Sequence, residues 1–160
     1  MDKGNTQNSE PIEFGAVDSA SEHDAIQKCF FEPIASADQF QKALLALRDK
    51  KKLTSEHLEI LKQMALAPER KTTSTRLAQA LMLENHSAAN LRMGLFAHLL
   101  ADELSYVPPK AKGRRPMWWT TLASGQGASA DSLDHHFQFT MRPELIQALS
   151  YMRWIKEQQN

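Results

Sequence analysis

The sequence predicts a mainly α-helical domain with a small β-hairpin, arranged as a winged helix-turn-helix with additional N-terminal helices. Apolar residues recur at the three- and four-residue spacing of a helix between residues 38 and 104. Two of these helical segments are separated by a short polar turn, which is the helix-turn-helix pattern. The spacing changes to an apolar and polar alternation over residues 136–141, which is typical of a strand.

The first helix is predicted over residues 38–49, with Ser36 as its N-cap. The second opens at Thr54 and ends before Pro68, because proline cannot continue a helix. Both segments carry their apolar residues on one face. We therefore expect two helices that precede the helix-turn-helix.

The helix-turn-helix is predicted from two segments that a short polar break separates. Hydroxyl side chains precede a short helix at residues 74–82, and Ser87 can cap a longer helix over residues 87–104. Residues 83–86 form the turn between them. The longer helix is the expected recognition helix.

A basic connector over residues 105–116 follows, with three prolines and four basic residues. Residues 117–123 are aromatic and β-branched and predict a strand, and residues 124–134 have the composition of a turn. The alternating segment 136–141 can pair back as the second strand of a hairpin. Pro143 is suited to the first turn of a final helix.

The formal net charge of the 160 residues is zero, but the charges are unevenly placed. Residues 1–40 contain eight acidic and two basic residues, whereas residues 41–115 contain seven acidic and fourteen basic residues. We expect an acidic, mobile leader over residues 1–24 and one domain over residues 25–160. The basic middle of the chain favours a nucleic-acid partner.

The cysteine content and the hydropathy pattern point to a cytoplasmic protein. Cys29 is the one cysteine, so no internal disulfide can form. The N-terminus lacks the pattern of a signal peptide, and no apolar run is long enough to span a membrane. We expect no membrane partner.

Candidate DNA-contacting residues cluster around the predicted helix-turn-helix and the connector. Polar residues early in helix 87–104 suit base edges, with asparagine for adenine and arginine for guanine, although they also fit a solvated helix face. The basic residues of the connector suit phosphate contacts, or alternatively a solvated loop. Those just before and within the first helix of the helix-turn-helix suit secondary phosphate contacts. The candidates are Arg70, Lys71, Arg76, His86, Ser87, Asn90, Arg92, Lys110, Lys112, Arg114 and Arg115.

Two adjacent tryptophans, Trp118 and Trp119, point to opposite faces of the predicted strand. Core packing is the stronger expectation for both, and base stacking is the alternative for an exposed one. The histidines lack the spacing of a zinc site, so we expect no metal and no cofactor. A small hydrolase using His57 or the pair His135-His136 is a third alternative, but the sequence shows no convincing catalytic set.

Several short motifs are unusual enough to compare with known families. They are LTSEHL (53–58), TSTRLA (73–78), AANL (88–91), PMWW (116–119) and MRPELIQAL (141–149). This pattern resembles an uncharacterised bacterial winged-helix-like domain family that is sometimes found together with HNH nuclease modules. The chain departs from the pattern at His86-Ser87, and nothing in it matches the HNH nuclease itself.

The leading expectation is a noncatalytic module that binds double-stranded DNA, in a restriction, defence or regulatory setting. Helix 87–104 would enter the major groove, while the basic residues 110–115 and the hairpin loop 124–134 would contact phosphates. The alternative is a protein-interaction module that acts on a nuclease or on a defence or anti-defence component. A second copy of the chain is a further candidate partner.

Overall fold

The computed structural model describes residues 12–13, 32–110, 112–113, 115–126 and 137–156. These residues form a mainly helical domain with a small three-stranded antiparallel sheet. The elements in chain order are β1 (Ile12–Glu13), α1 (Ala37–Asp49), α2 (Ser55–Ala65), β2 (Lys71–Thr73), α3 (Ser74–Leu81), α4 (His86–Leu104), β3 (Pro109–Lys110), β4 (Ala123–Gln126), β5 (Gln138–Met141) and α5 (Pro143–Tyr151). Within these residues no helix is long and apolar enough to cross a membrane.

The predicted helices are confirmed, and side-chain caps fix where the first two begin. Ser36 Oγ accepts a hydrogen bond from the Gln39 amide, and Gln39 Oε1 accepts one from the Ser36 amide, which makes a capping box. Thr54 and His57 make the same reciprocal pair at the start of α2. These bonds satisfy amides that a helix start otherwise leaves without partners.

The longest helix, α4, begins one residue earlier than predicted. Its N-cap is Asn85 and not Ser87, because Asn85 Oδ1 accepts a hydrogen bond from the Ala88 amide at 3.0 Å. Along its inner face α4 packs on α1, α3 and the segment that follows β3. Its fully buried residues include Met93, Phe96 and Leu100, so this helix forms the centre of the core.

The sheet has three strands in the order β2-β5-β4, where the sequence predicted only a two-stranded hairpin. Lys71 lies opposite Thr140 in the β2–β5 pair, and Thr140 lies opposite Ser124 in the β5–β4 pair. Strand β2 is only three residues long, so it left no alternating pattern in the sequence. Part of the segment predicted as a turn, residues 124–126, belongs to β4.

The predicted strand over residues 117–123 is wrong for its aromatic part. Residues Trp118–Thr121 form a 3-10 helical turn, and the strand begins at Ala123. Thr120 Oγ1 donates a buried hydrogen bond of 2.7 Å to the Met117 carbonyl. This local bond to the backbone competes with strand pairing and stabilises the turn.

The leader and the connector meet at one described point. Ile12 and Glu13 form strand β1, which pairs in parallel with Pro109 and Lys110 of β3. The other residues predicted as leader, 1–11 and 14–24, lie outside the described residues, as do residues 127–134 of the predicted hairpin loop.

Two glycines provide a matched test of the packing. A Cβ added to Gly125 would lie 2.8 Å from the Trp119 ring and closer still to Phe137, whereas a Cβ added to Gly94 in α4 meets nothing within 4 Å. We expect Gly125→Ala to lower the free energy of unfolding by about 1–3 kcal/mol, because buried aromatic rings must move. Gly94→Ala should raise it by about 0.5–1 kcal/mol. Chemical denaturation measures both, and equal effects of the two changes would contradict this packing.

Candidate nucleic-acid interface and the basic cavity

A side-chain hydrogen bond holds the two helices of the predicted helix-turn-helix together. The buried Ser74 hydroxyl at the start of α3 donates to Asn90 Oδ1 in α4. Reading adenine would require both the oxygen and the nitrogen of this amide. The bond from Ser74 gives Asn90 a role in helix packing, and it restricts the orientation in which the amide could meet a base.

Arg92 is also engaged within the domain. Its Nη1 donates to both carboxylate oxygens of Glu56 in α2, each at 3.0 Å. The pair is partly exposed and ties α2 to α4 across the surface. A base-reading role for Arg92 would first have to break this pair.

The outer face of α4 carries leucines as well as polar residues. Leu91 is 61% exposed and Leu95 is 57% exposed, and they lie four residues apart on one side of the helix. Ser87 is exposed in the first turn, and His86 is partly buried and has an interaction within the protein. Sequence reasoning counted the leucines only toward the helical spacing, because the spacing does not distinguish an inner from an outer apolar residue.

The remaining candidate bases fall into two groups. Arg76, Lys112 and Arg115 are exposed, and no hydrogen bond or ion pair joins their side chains to the part of the chain that is described. Lys110 is partly buried in β3 and has an interaction within the protein. Arg114 lies outside the described residues. Three exposed bases therefore remain for contact with phosphates.

The two tryptophans have different surroundings. Trp119 is buried and meets Phe137 and Phe139 edge to face, with ring centroids 5.3 Å apart in each pair. Trp118 is partly buried, and one face of its ring stacks on His98 of α4 at a centroid distance of 3.6 Å. Trp119 is thus a core residue, and Trp118 anchors the connector on α4.

Arg70 and Lys71, which we expected beside the DNA backbone, line a cavity of about 1030 Å³ between the sheet and α5. The buried Arg142 lines the same cavity, together with Ser124 and Thr140 of the sheet. Sequence reasoning assigned no site role to these last three residues. The alternation over residues 136–141 could have shown that Thr140 points away from the core. It could not have shown which residues lie beside Thr140, because these belong to strands that are distant in the sequence.

His57 is fixed by the helix cap and by an aromatic contact. Its Nδ1 accepts a hydrogen bond from the Thr54 amide at 3.1 Å, and its ring stacks on Phe96 at 4.4 Å. Burial lowers the pKa of His57 below its ordinary value of 6.5, and the nearby Glu56 carboxylate partly opposes this. His135 and His136 lie outside the described residues, within which no group of three or more potential ligands could hold a metal ion.

Comparisons with known proteins add no relative. A scan against models of protein families gave no match, and searches of curated proteins and of solved structures also gave none. The family resemblance of the sequence motifs therefore stays a prediction.

The His57 cap predicts a pH-dependent stability. Its lowered pKa means that the unfolded chain binds the proton more readily, so stability is lost as the pH falls below 6.5 towards the folded-state pKa. Glutamine also fits the third position of a capping box, so His57→Gln should keep the cap and lose this pH dependence. Urea denaturation at several pH values between about 5 and 8 measures the difference, within the titration range of histidine. Identical pH profiles for the two proteins would contradict the assignment.

Proposed function

We propose that this chain is a noncatalytic winged helix-turn-helix module that binds double-stranded DNA. The observation that carries the proposal is the arrangement of the elements around α3 and α4. Strand β2 leads directly into α3, and α4 follows. Strand β5 then lies between β2 and β4 and pairs with both. This order of helices and strands supports the winged-helix proposal, because a winged helix has the same order.

In this proposal the first turn of α4 enters the major groove. Ser87 is exposed there and can reach a base edge or a phosphate. Arg76 at the start of α3 and the connector residues Lys112 and Arg115 would contact phosphates, and Lys110 and Arg114 are further candidates from the same stretch of sequence. The single cysteine is compatible with a reducing compartment, which supports a cytoplasmic place of action.

DNA binding can be tested by removing the exposed bases. We expect Arg76→Ala and the double change Lys112→Ala and Arg115→Ala each to weaken binding to duplex DNA. The logarithmic salt dependence should become shallower by about 0.9 for each lost phosphate contact. Lys42→Ala is the matched control, because Lys42 is an exposed base on α1 that pairs with Asp38.

Fluorescence anisotropy at several salt concentrations measures the affinity and the slope together. No binding by the unchanged protein would overturn the proposal. An equal loss in the Lys42→Ala control would show that only net charge matters, which would contradict the assigned contact surface.

A second candidate function, a protein-interaction module, is favoured by the two exposed leucines. Leu91 and Leu95 lie on the same α4 face that the DNA proposal directs towards the groove. Neighbouring exposed apolar residues on one helix face are typical of a protein contact. The partner would be a second copy of the chain, or a nuclease or another defence or anti-defence component.

Changing both leucines to lysine separates the two functions. Lysine is a good helix former, so the paired change Leu91→Lys and Leu95→Lys should leave the fold intact. If the face meets DNA, the variant should bind DNA as well as before or more tightly, with a steeper salt dependence. If the face meets a second copy, the original protein should be a dimer in sedimentation experiments and the variant a monomer. Weaker DNA binding by a folded, monomeric variant would contradict a groove-facing α4.

A further inference from the structure

We propose that the cavity between the sheet and α5 is a binding site for a small organic anion, in which a carboxylate or phosphate group is attached to an apolar body. The cavity has a volume of about 1030 Å³. This is at the upper end of the range of about 300–1,000 Å³ that is typical of small-molecule sites. The proposed DNA contacts at Arg76, Lys112 and Arg115 do not line it.

One wall of the cavity is a polar row across the sheet. The strand register places Lys71 next to Thr140 and Thr140 next to Ser124. All three residues line the cavity and are partly exposed. An ammonium group and two hydroxyl groups are thus brought onto one sheet face, where they can donate hydrogen bonds to an oxyanion.

The charge of the lining favours an anion. Arg70 and Lys71 are two partly exposed cations of the lining, and the lining also includes the buried Arg142, against the single carboxylate of Glu144. Glu69 lies 3.7 Å from the Lys71 ammonium but is exposed, so solvent weakens this pair. No ion pair or hydrogen bond joins the Arg70 side chain to the described part of the chain.

The cavity also has apolar lining residues that can hold the body of a ligand. Met141 of β5 and Ile146 of α5 contribute apolar side chains that are largely buried, and Pro33 and Pro143 also line the cavity. Tyr151 lies at the rim and is 65% exposed, so its ring can cover an aromatic or aliphatic group. Apolar walls with a few placed polar groups are characteristic of ligand sites.

The backbone beside the cavity is held in a costly conformation. Glu69 and Arg70 both have left-handed φ values, 57° and 62°, and neither is glycine. Such a conformation costs about 1–2 kcal/mol for each residue. Strained backbone is frequent at ligand sites, and here it directly precedes Lys71, the first residue of the polar row.

The left-handed backbone at Arg70 allows a substitution that removes the charge without disturbing the fold. Arg70→Gly removes the guanidinium, and glycine adopts a φ of 62° without penalty, so the fold should be retained or stabilised. Lys71→Gln removes the second partly exposed cation of the lining. Lys62→Gln, an exposed base on α2 away from the cavity, is the control for net charge.

The probe is 8-anilino-1-naphthalenesulfonate, with the uncharged N-phenyl-1-naphthylamine as its counterpart, in fluorescence titrations without DNA. We expect saturable binding of the sulfonate that Arg70→Gly and Lys71→Gln each weaken about tenfold or more, the effect of one lost charge-assisted hydrogen bond. The neutral dye should be little affected, and Lys62→Gln should bind as the original protein does.

Displacement by phenyl phosphate or by benzoate, compared with benzyl alcohol, then identifies the preferred head group. Displacement by either anion but not by the alcohol supports the site. The proposal is overturned if neither anion displaces the dye, or if the cavity variants bind it unchanged. Because no DNA is present, these results do not depend on the proposed DNA binding.

Discussion

The hydrogen bonds of the buried Arg142 guanidinium join the sheet, α5 and the N-terminal segment, and the rest of the structure depends on them. The residue is only 4% exposed. Its Nε donates to the Thr120 carbonyl at 2.7 Å, and its Nη1 donates to the Glu32 carbonyl at 3.0 Å. Its own amide donates to the Leu122 carbonyl, so one residue ties together the segment before α1, the 3-10 turn and the start of β4. Burying a charged group is costly, and these carbonyl acceptors offset part of that cost.

The position of Arg142 also determines where α5 lies. Arg142 immediately follows β5 and precedes Pro143, which is the first residue of α5, and its carbonyl accepts hydrogen bonds from the Leu145 and Ile146 amides. The helix therefore begins directly beside the sheet, packs on α1, and leaves the cavity between its outer face and the strands. The same residue that anchors the last helix thus lines the proposed ligand site.

The sequence could predict the helices because their signals are local. Ser36 and Thr54 lie one residue before α1 and α2, and their caps involve residues three positions away. The missed strand β2 is different, because its three residues are fixed by pairing with β5, which lies far along the chain. The aromatic residues of Trp118–Thr121 suggested a strand, but buried side-chain bonds and the stacking on α4 determine the turn.

The candidate site was predicted less well, because the sequence shows which residues are charged but not which of them the fold uses. Arg92 was one of the residues expected to suit a base edge, yet Glu56 binds it from another helix. The bases that remain exposed, Arg76 among them, can act on a polyanion at long range, where salt screens them. Arg70 and Lys71 line a cavity, where the proposed anion would contact them directly and with less screening by solvent. The basic residues in the middle of the chain therefore divide into an outer set suited to phosphates and a cavity set suited to a small anion. The sequence does not separate the two sets, because it shows only that basic residues are in excess there.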